Sequence, residues 1–194
     1  MTERLHRMPP GELSAQQRAV YDVITSGPRG SGPARARLTD GDGGLYGPFN
    51  AMLLSPHVGN ALQALGAAIR YRSGLTDRIR EMATLAVANH YDSTFERWAH
   101  EQVAAGHGVT DAEVANLRAP GTPLALRDRA EEVAMACVRA LLDRRDLDDE
   151  LYDQARGVLG DEGLFELSTL VGYYGTLALQ LRMFRVGLPG RPGQ

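Results

Sequence analysis

The sequence contains no lysine and a single cysteine, Cys137. All 21 of its basic residues are arginine. Without lysine there is no Schiff-base chemistry, no lysine-anchored pyridoxal phosphate and no lysine-bearing phosphate loop. One cysteine excludes an intrachain disulfide, a C-x-x-C redox pair and a cysteine-built zinc site, and it fits a reducing, cytoplasmic compartment. The 24 acidic residues leave a net charge of −3, which gives no electrostatic footprint for nucleic acid or for anionic lipid. The longest uncharged stretch near the C-terminus, Leu167 to Leu181, is too short to span a bilayer and carries Thr169, Thr176 and Gln180. The first ten residues are too charged and proline-broken for a signal peptide. The missing lysine, beside abundant glycine and alanine, points to a GC-rich genome before it points to a mechanism. What remains for chemistry is carboxylate, imidazole, hydroxyl and guanidinium.

At 194 residues the chain has the length to bury a core, and its signals are helical throughout. Ser14 to Gln17 reads as a capping box opening a helix of about a dozen residues. Residues 26–47, rich in Gly, Pro, Arg and Asp and without a period, read as a long loop of the kind that serves as a lid. Ser55-Pro56 starts a helix whose stripe runs Val58, Leu62, Leu65, Ala68 and Ile69 to a stop near Ser73-Gly74. Thr76-Asp77 caps the next, which continues to about His90. Ser93 to Glu96 opens another, closed at Gly106-His-Gly108, and Thr110 to Glu113 is a further capping box. A periodic helix over 127–142 and two segments, 148–159 and 163–186, complete the count. No run alternates with period two between turn residues, so the expected class is all-α. The last helix is apolar around most of its circumference (Leu167, Leu170, Val171, Tyr174, Leu177, Leu181, Phe184), which implies cover on every face, from the core or from a second subunit.

Two helices between Thr76 and Ala105 hold the polar residues that suggest a site. Glu81 has Thr84, Leu85 and Ala88 as its i+3, i+4 and i+7 neighbours, so its carboxylate lies on a nearly apolar face. Desolvation there raises its pKa, unless it forms a salt bridge with Arg78 or Arg80. Glu96 and His100 share a helical face at i,i+4, within hydrogen-bond reach, the arrangement that orients an imidazole for acid–base work. Alternatively Glu96 only closes the capping box with Ser93. His6, His57, His90 and His107 lie in a tail or at helix ends and read as structural. No pair has the H-E-x-x-H spacing and no two E-x-x-H units occur, so no metal site is expected. Ser93 has no histidine–acid partnership, and no G-x-S-x-G elbow is present.

Gly47-Pro-Phe-Asn-Ala-Met-Leu-Leu-Ser-Pro56, Leu75-Thr-Asp-Arg-Ile-Arg-Glu81, Phe95-Glu-Arg-Trp-Ala-His100, Gly108-Val-Thr-Asp-Ala-Glu113 and Leu170-Val-Gly-Tyr-Tyr174 together resemble the carboxymuconolactone decarboxylase family, which shares the alkylhydroperoxidase D-like fold. The resemblance covers residues 47–186 as a domain, leaving 1–46 as an N-terminal helix and loop extension and 187–194 as a tail. It implies a helical subunit that assembles as trimers, or as hexamers built from trimers, with sites for a small-molecule substrate near the subunit contacts. The peroxidase branch carries a glutamate, C-x-x-C and a histidine. Glu81 and His100 match the outer two, but Ser93 and Glu96 stand at the cysteine positions, so a dithiol relay is impossible. The decarboxylase branch needs no cofactor: it needs a cation for a carboxylate, a donor for an oxyanion and an acid for carbon. On that resemblance His100 is the acid–base residue, Glu96 its orienting or proton-shuttling partner, and Glu81 a supporting or proton-relay carboxylate. Arg70 or Arg80 binds the substrate carboxylate. Tyr46, Phe49, Asn50 and Trp98 line the pocket, although Phe49 and Trp98 read equally as core. The expected activity is that of a cofactor-independent lyase acting on a small carboxylated lactone or enolisable compound. A biosynthetic isomerase or cyclase with the same proton-moving groups is the alternative, and a helical ligand-binding protein without activity is a third.

Overall fold

A computed structural model describes residues 3–31, 38–119 and 126–190. Among them are eight α-helices: α1 (Ala15–Ser26), α2 (Pro48–Met52), α3 (Pro56–Arg72), α4 (Asp77–His90), α5 (Thr94–Gly106), α6 (Asp111–Arg118), α7 (Arg129–Arg144) and α8 (Asp149–Met183). Helix α8 is broken at Gly160, whose φ of 71° and ψ of 172° are not helical, so it is two segments end to end, as its sequence suggests. No strand is present among the described residues beyond one isolated bridge, Thr39 to Leu45. The protein is all-α. No described helix is long and apolar enough to cross a membrane.

The chain divides into two compact units, Met1–Ala68 with Gln180–Gln194, and Ile69–Leu179. In the first, the N-terminal segment is tied to the end of α8: the Arg4 amide donates to the Phe184 carbonyl at 2.9 Å, and the Gly187 amide donates to Glu3 at 2.7 Å. The Ser14–Gln17 box forms and opens α1. The stretch read as an unstructured loop has order at both ends. Pro28–Gly30 is a 3-10 turn, and residues 38–46 close a turn around the Asp40 carboxylate, which accepts from the amides of Asp42 and Gly44 at 3.0 and 2.8 Å. Residues 32–37, the middle of the proposed lid, lie outside the described residues. Helix α2 is too short to show a period in sequence. Gly59 is fixed by close approach: a Cβ there would lie 1.9 Å from the Met52 carbonyl oxygen.

The second unit is built on α4, which packs against α5, α6 and α7. Ten of its residues are buried, among them Ile79, Met82, Leu85 and Val87. Each such side chain contributes about 1.5–3 kcal/mol when withdrawn from water. Thr76 caps its start, the Thr110–Glu113 box opens α6 and Asp128 caps α7. On α7, Val133, Ala134, Cys137 and Ala140 face the core, which removes the lone thiol from any exposed chemistry. The last helix is covered within this chain on one side only. Leu167, Leu170, Tyr174 and Leu177 are buried, while Phe165 is 72% and Leu179 56% exposed.

A buried ionic hub joins these helices. Arg78 Nε donates to Glu131 Oε1 at 2.6 Å, and Nη2 donates to Glu113 Oε1 at 2.7 Å. Its Nη1 donates to the Gly108 carbonyl, which Arg127 also reaches at 2.7 Å. Burial raises the Glu113 pKa, but the Arg78 and Thr110 hydrogen bonds outweigh it and bring the carboxyl down to about 2. Glu131 is lowered chiefly by its Arg78 hydrogen bond. Stability from both carboxylates is therefore present above the ordinary carboxylate range and is lost as pH falls through the lowered folded values. Replacing Arg78 by Gln strands two buried carboxylates. Denaturant unfolding at neutral pH is expected to show a loss of about 3–5 kcal/mol. The loss shrinks in acid, where the carboxylates become neutral.

Candidate active site

Glu81 projects from the third position beyond the hub residue on α4, and His100 from the facing side of α5. Their contact is direct: His100 Nδ1 lies 2.7 Å from Glu81 Oε2, and both side chains are buried. The expected salt bridge from Glu81 to Arg78 or Arg80 is not made. Arg78 serves the hub, and Arg80 pairs with Asp77 and donates to the Leu75 carbonyl at 2.7 Å. The pKa of Glu81 also runs opposite to the expected rise. Burial pushes it up, but the charge and hydrogen bond of His100, then the charges of Arg70 and His107, bring the net value below the ordinary one. An ionised carboxylate only accepts, so His100 carries its proton on Nδ1 and leaves Nε2 for exchange with another group.

The ring of Tyr174, from α8, meets the His100 ring edge to face, with centroids 5.1 Å apart and planes at 88°. Its phenol is pushed well above the usual range by burial, then by the Glu81 and Tyr173 charges, against the opposing effects of Arg70 and a Thr84 hydrogen bond. The phenol stays neutral and holds the imidazole plane from the side. Tyr174 and His107 were not singled out from sequence. Tyr174 looks like one more apolar position on its stripe, and His107 like a helix end, where it reaches Asp77 at 3.2 Å.

Glu96 behaves differently from the expectation placed on it. It neither orients His100 nor closes a capping box: its carboxyl is buried, and the polar group that acts on it is the Ser93 hydroxyl. Ser93 is also buried and does not cap α5. Glu96 is 3% and Ser93 1% exposed. Burial raises the Glu96 pKa to about 8, with Ser93 opposing the rise. Glu96 is thus a neutral acid at pH 7, one helical turn from an imidazole held by an ionised carboxylate.

The other candidates divide by unit. Arg70 acts through its charge on Glu81 and Tyr174, and its guanidinium lies 5.8 Å from the Tyr71 ring. Arg80 has one further buried group, Nε, without a partner. Trp98 is half-buried against Phe95 at 5.6 Å. Tyr46, Phe49 and Asn50 belong to the first unit and serve its packing. Tyr46 lies under Arg7, Phe49 under Arg29, and Asn50 holds the His6 carbonyl and the Met8 amide at 3.0 and 3.3 Å. No group of three or more His, Cys, Asp or Glu residues suited to a metal ion occurs among the described residues.

The all-helical body has an AhpD-like fold. Over residues 56–140 the sequence matches the model of the carboxymuconolactone decarboxylase family. Solved structures show the same fold. An uncharacterised peroxidase-related protein with an AhpD core, from Ralstonia eutropha JMP134, superposes with a TM-score of 0.75 at 12% identity, covering 97% of this chain and 93% of its own. A variant of the debrominase Bmp8 in complex with 2,3,4-tribromopyrrole gives 0.71 at 15% identity, covering 98% and 94%. A protein of unknown function from Agrobacterium tumefaciens, related to AhpD, gives 0.63 at 18% identity, covering 75% and 99%. No curated protein matches the sequence.

The Glu96 pKa carries a stability consequence. The folded value lies above the unfolded one, so the neutral acid costs the fold nothing in acid, and the burial penalty grows from the ordinary carboxylate range up to about pH 8. Glu96→Gln removes that penalty. The variant is expected to melt at a higher temperature than wild type at pH 8–9, with the gap closing toward pH 4. A constant gap across that range would contradict a buried, unpaired acid.

Proposed function

We propose that the protein is a cofactor-independent lyase that removes CO2 from a small, carboxylated lactone or enolisable carbonyl compound by acid–base chemistry. The observation that carries this reading is the division between two neighbouring carboxyl groups. Glu81 is held ionised by His100, and Glu96 is held neutral by burial without a cationic partner. Environments that push two acids apart assign one as charge stabiliser and the other as proton donor. The reading departs from the role expected for Glu96 in one respect: it is the donor, and Glu81 is the residue that orients His100.

In the proposed reaction the bond between carbon and the substrate carboxylate breaks, CO2 leaves, and the electron pair passes into the conjugated carbonyl as an enolate. Glu96 then gives its proton to carbon. His100 and Glu96 are one turn apart on α5, close enough for a proton to return to Glu96 from Nε2 directly or through one water. Solvent resupplies the histidine. Arg70, whose charge already acts on this cluster, is the proposed cation for the departing carboxylate. A thiol peroxidase reading has no support: the chain's one cysteine is buried on α7, and burial raises its thiol pKa.

Partners other than a small molecule are not proposed, apart from copies of the chain itself. The exposure of Phe165 and Leu179 on one side of α8 favours a homo-oligomer, the trimer or hexamer of the family resemblance.

The direct test is CO2 release from a γ-lactone acid. His100→Ala and Glu96→Gln are each expected to lower kcat by about 100-fold or more, and the wild-type rate to fall as pH rises through about 8. Wild-type rates in both variants would remove these residues from the reaction, and an isomeric product without CO2 would replace lyase by isomerase.

A further inference from the structure

Two acid–imidazole contacts cross the seam between α4 and α5. Glu81 meets His100 at 2.7 Å in its buried part, and Asp77 Oδ2 meets His107 Nδ1 at 3.2 Å at its end. Helical spacing brings the two contacts into line. Asp77 and Glu81 are one turn apart on α4, stacked on one face about 6 Å apart along the axis. His100 lies two turns before His107, the residue that caps the end of α5. The two carboxylates therefore follow one another along one helix, and the two imidazoles along the other. The inner pair is closed from solvent, whereas the His107 and Asp77 side chains are 38% and 50% exposed.

The outer pair is held from both sides. Arg80 pairs with Asp77 Oδ1, which leaves Oδ2 to His107. The His107 amide donates to the Val103 and Ala104 carbonyls at 3.3 and 3.0 Å, and a helix C-terminus favours a cation. The other charged groups at this end of the seam are Arg78, whose fork holds Glu113 and Glu131, and Arg127, which shares the Gly108 carbonyl with it. The arginines stay charged at every working pH, and both glutamates ionise below the ordinary carboxylate range. An imidazole is the side chain in this set that ordinarily gains and loses a proton near neutral pH. The charge of His107 also reaches inward, where it acts on Glu81 together with that of Arg70. A tether between two helix ends needs no such group, since Asn or Gln donates to a carboxylate without titrating.

We infer that His107, held by Asp77, is a positioning residue for the proposed reaction, whose charge keeps Glu81 able to orient His100 as the medium turns acidic. The inference rests on the reading of Glu81 as the carboxylate that orients the acid–base histidine, and it adds a residue outside that pair. Acid threatens the arrangement, because a protonated Glu81 no longer serves as the anionic acceptor for His100 Nδ1–H. A cation at His107 appears in the same direction, as pH falls, and opposes that loss. With a neutral residue at this position Glu81 gives up its charge at a higher pH. No proton passes between the two pairs. The coupling is electrostatic across about one helix turn, along a seam whose inner part is closed enough from water for the charge to be felt.

The test uses the full chain with carbon-13 in its glutamate carboxyl groups, so that the titration of Glu81 is read by NMR without any substrate. The signal lost in Glu81→Gln is that of Glu81. His107→Gln keeps a donor for Asp77 and removes the charge, and His107→Arg makes the charge permanent. The Glu81 midpoint is expected to rise by about half a pH unit in His107→Gln, and to return to the wild-type position in His107→Arg. The acid limb of kcat for CO2 release moves with the midpoint, while KM stays as in wild type, because His107 does not touch substrate. A tether predicts otherwise: Gln, which still reaches Asp77, leaves the midpoint in place. The inference is overturned if His107→Gln titrates as wild type does, or if His107→Arg fails to restore the midpoint. CO2 release whose acid limb ignores a shifted midpoint discards the role of His107 and leaves the lyase standing. A shifted and restored midpoint without turnover of any lactone acid keeps the coupling and discards the lyase.

Discussion

The buried guanidinium of Arg78 sets the geometry on which the second unit depends. It is bonded at once to α6 through Glu113, to α7 through Glu131 and to the turn after α5 through the Gly108 carbonyl. Apolar packing alone fixes the depth of a helix better than its rotation, since Leu, Met and Val interdigitate in several ways for similar energy. A planar fork with two carboxylates and a carbonyl has far fewer solutions. Ion pairs of this kind contribute little net stability after desolvation, and what they add is a defined arrangement. With α4 held in rotation, Glu81 three residues further on faces α5 at one angle, and the 2.7 Å contact to His100 follows.

Glu81 and Glu96 are equally buried, and their environments separate them. Glu81 has the His100 imidazole within hydrogen-bond distance, and Arg70 and His107 lower its pKa further. Glu96 has only a neutral hydroxyl nearby. Burial acts on both in the same direction, so the presence or absence of a partner decides which one ionises. One helix turn thus holds an imidazole tied to a fixed negative charge and a carboxyl that keeps its proton.

Local structure was legible in the sequence where a residue and its immediate neighbours determine it. Ser14, Thr76 and Thr110 mark helix starts correctly because a cap is satisfied within three residues. The all-α class follows from the same periodicity. The site was legible in membership and not in wiring. Glu81, Glu96 and His100 stand on adjoining helices, but i,i+4 spacing favours Glu96 as the partner of His100, and the actual partner is 19 residues away. Helix-to-helix register decides that pairing, and register depends on Arg78, Glu113 and Glu131, which are up to 53 residues apart. The short helix α2 and the Asp40 turn escaped for a related reason, since five residues and a carboxylate-centred turn have no period to detect. The exposed Phe165 and Leu179 show the converse limit: an apolar circumference tells that a helix avoids water, and leaves open what covers it.

The fold is shared with the solved structures at 12–18% identity. In this chain the start of α5 offers a hydroxyl and a neutral carboxyl, groups with no electrons to exchange. The fold supplies a position that is dry, near a helix start and next to a charge-held imidazole, and such a position amplifies whatever side chain stands there. A sulfur at that point becomes a reactive thiolate, because positive potential stabilises its charge. A carboxyl at the same point, withdrawn from water and without a cationic partner, keeps its proton. The electrostatics of the scaffold thus act on whichever side chains stand at the start of α5, which in this chain are Ser93 and Glu96.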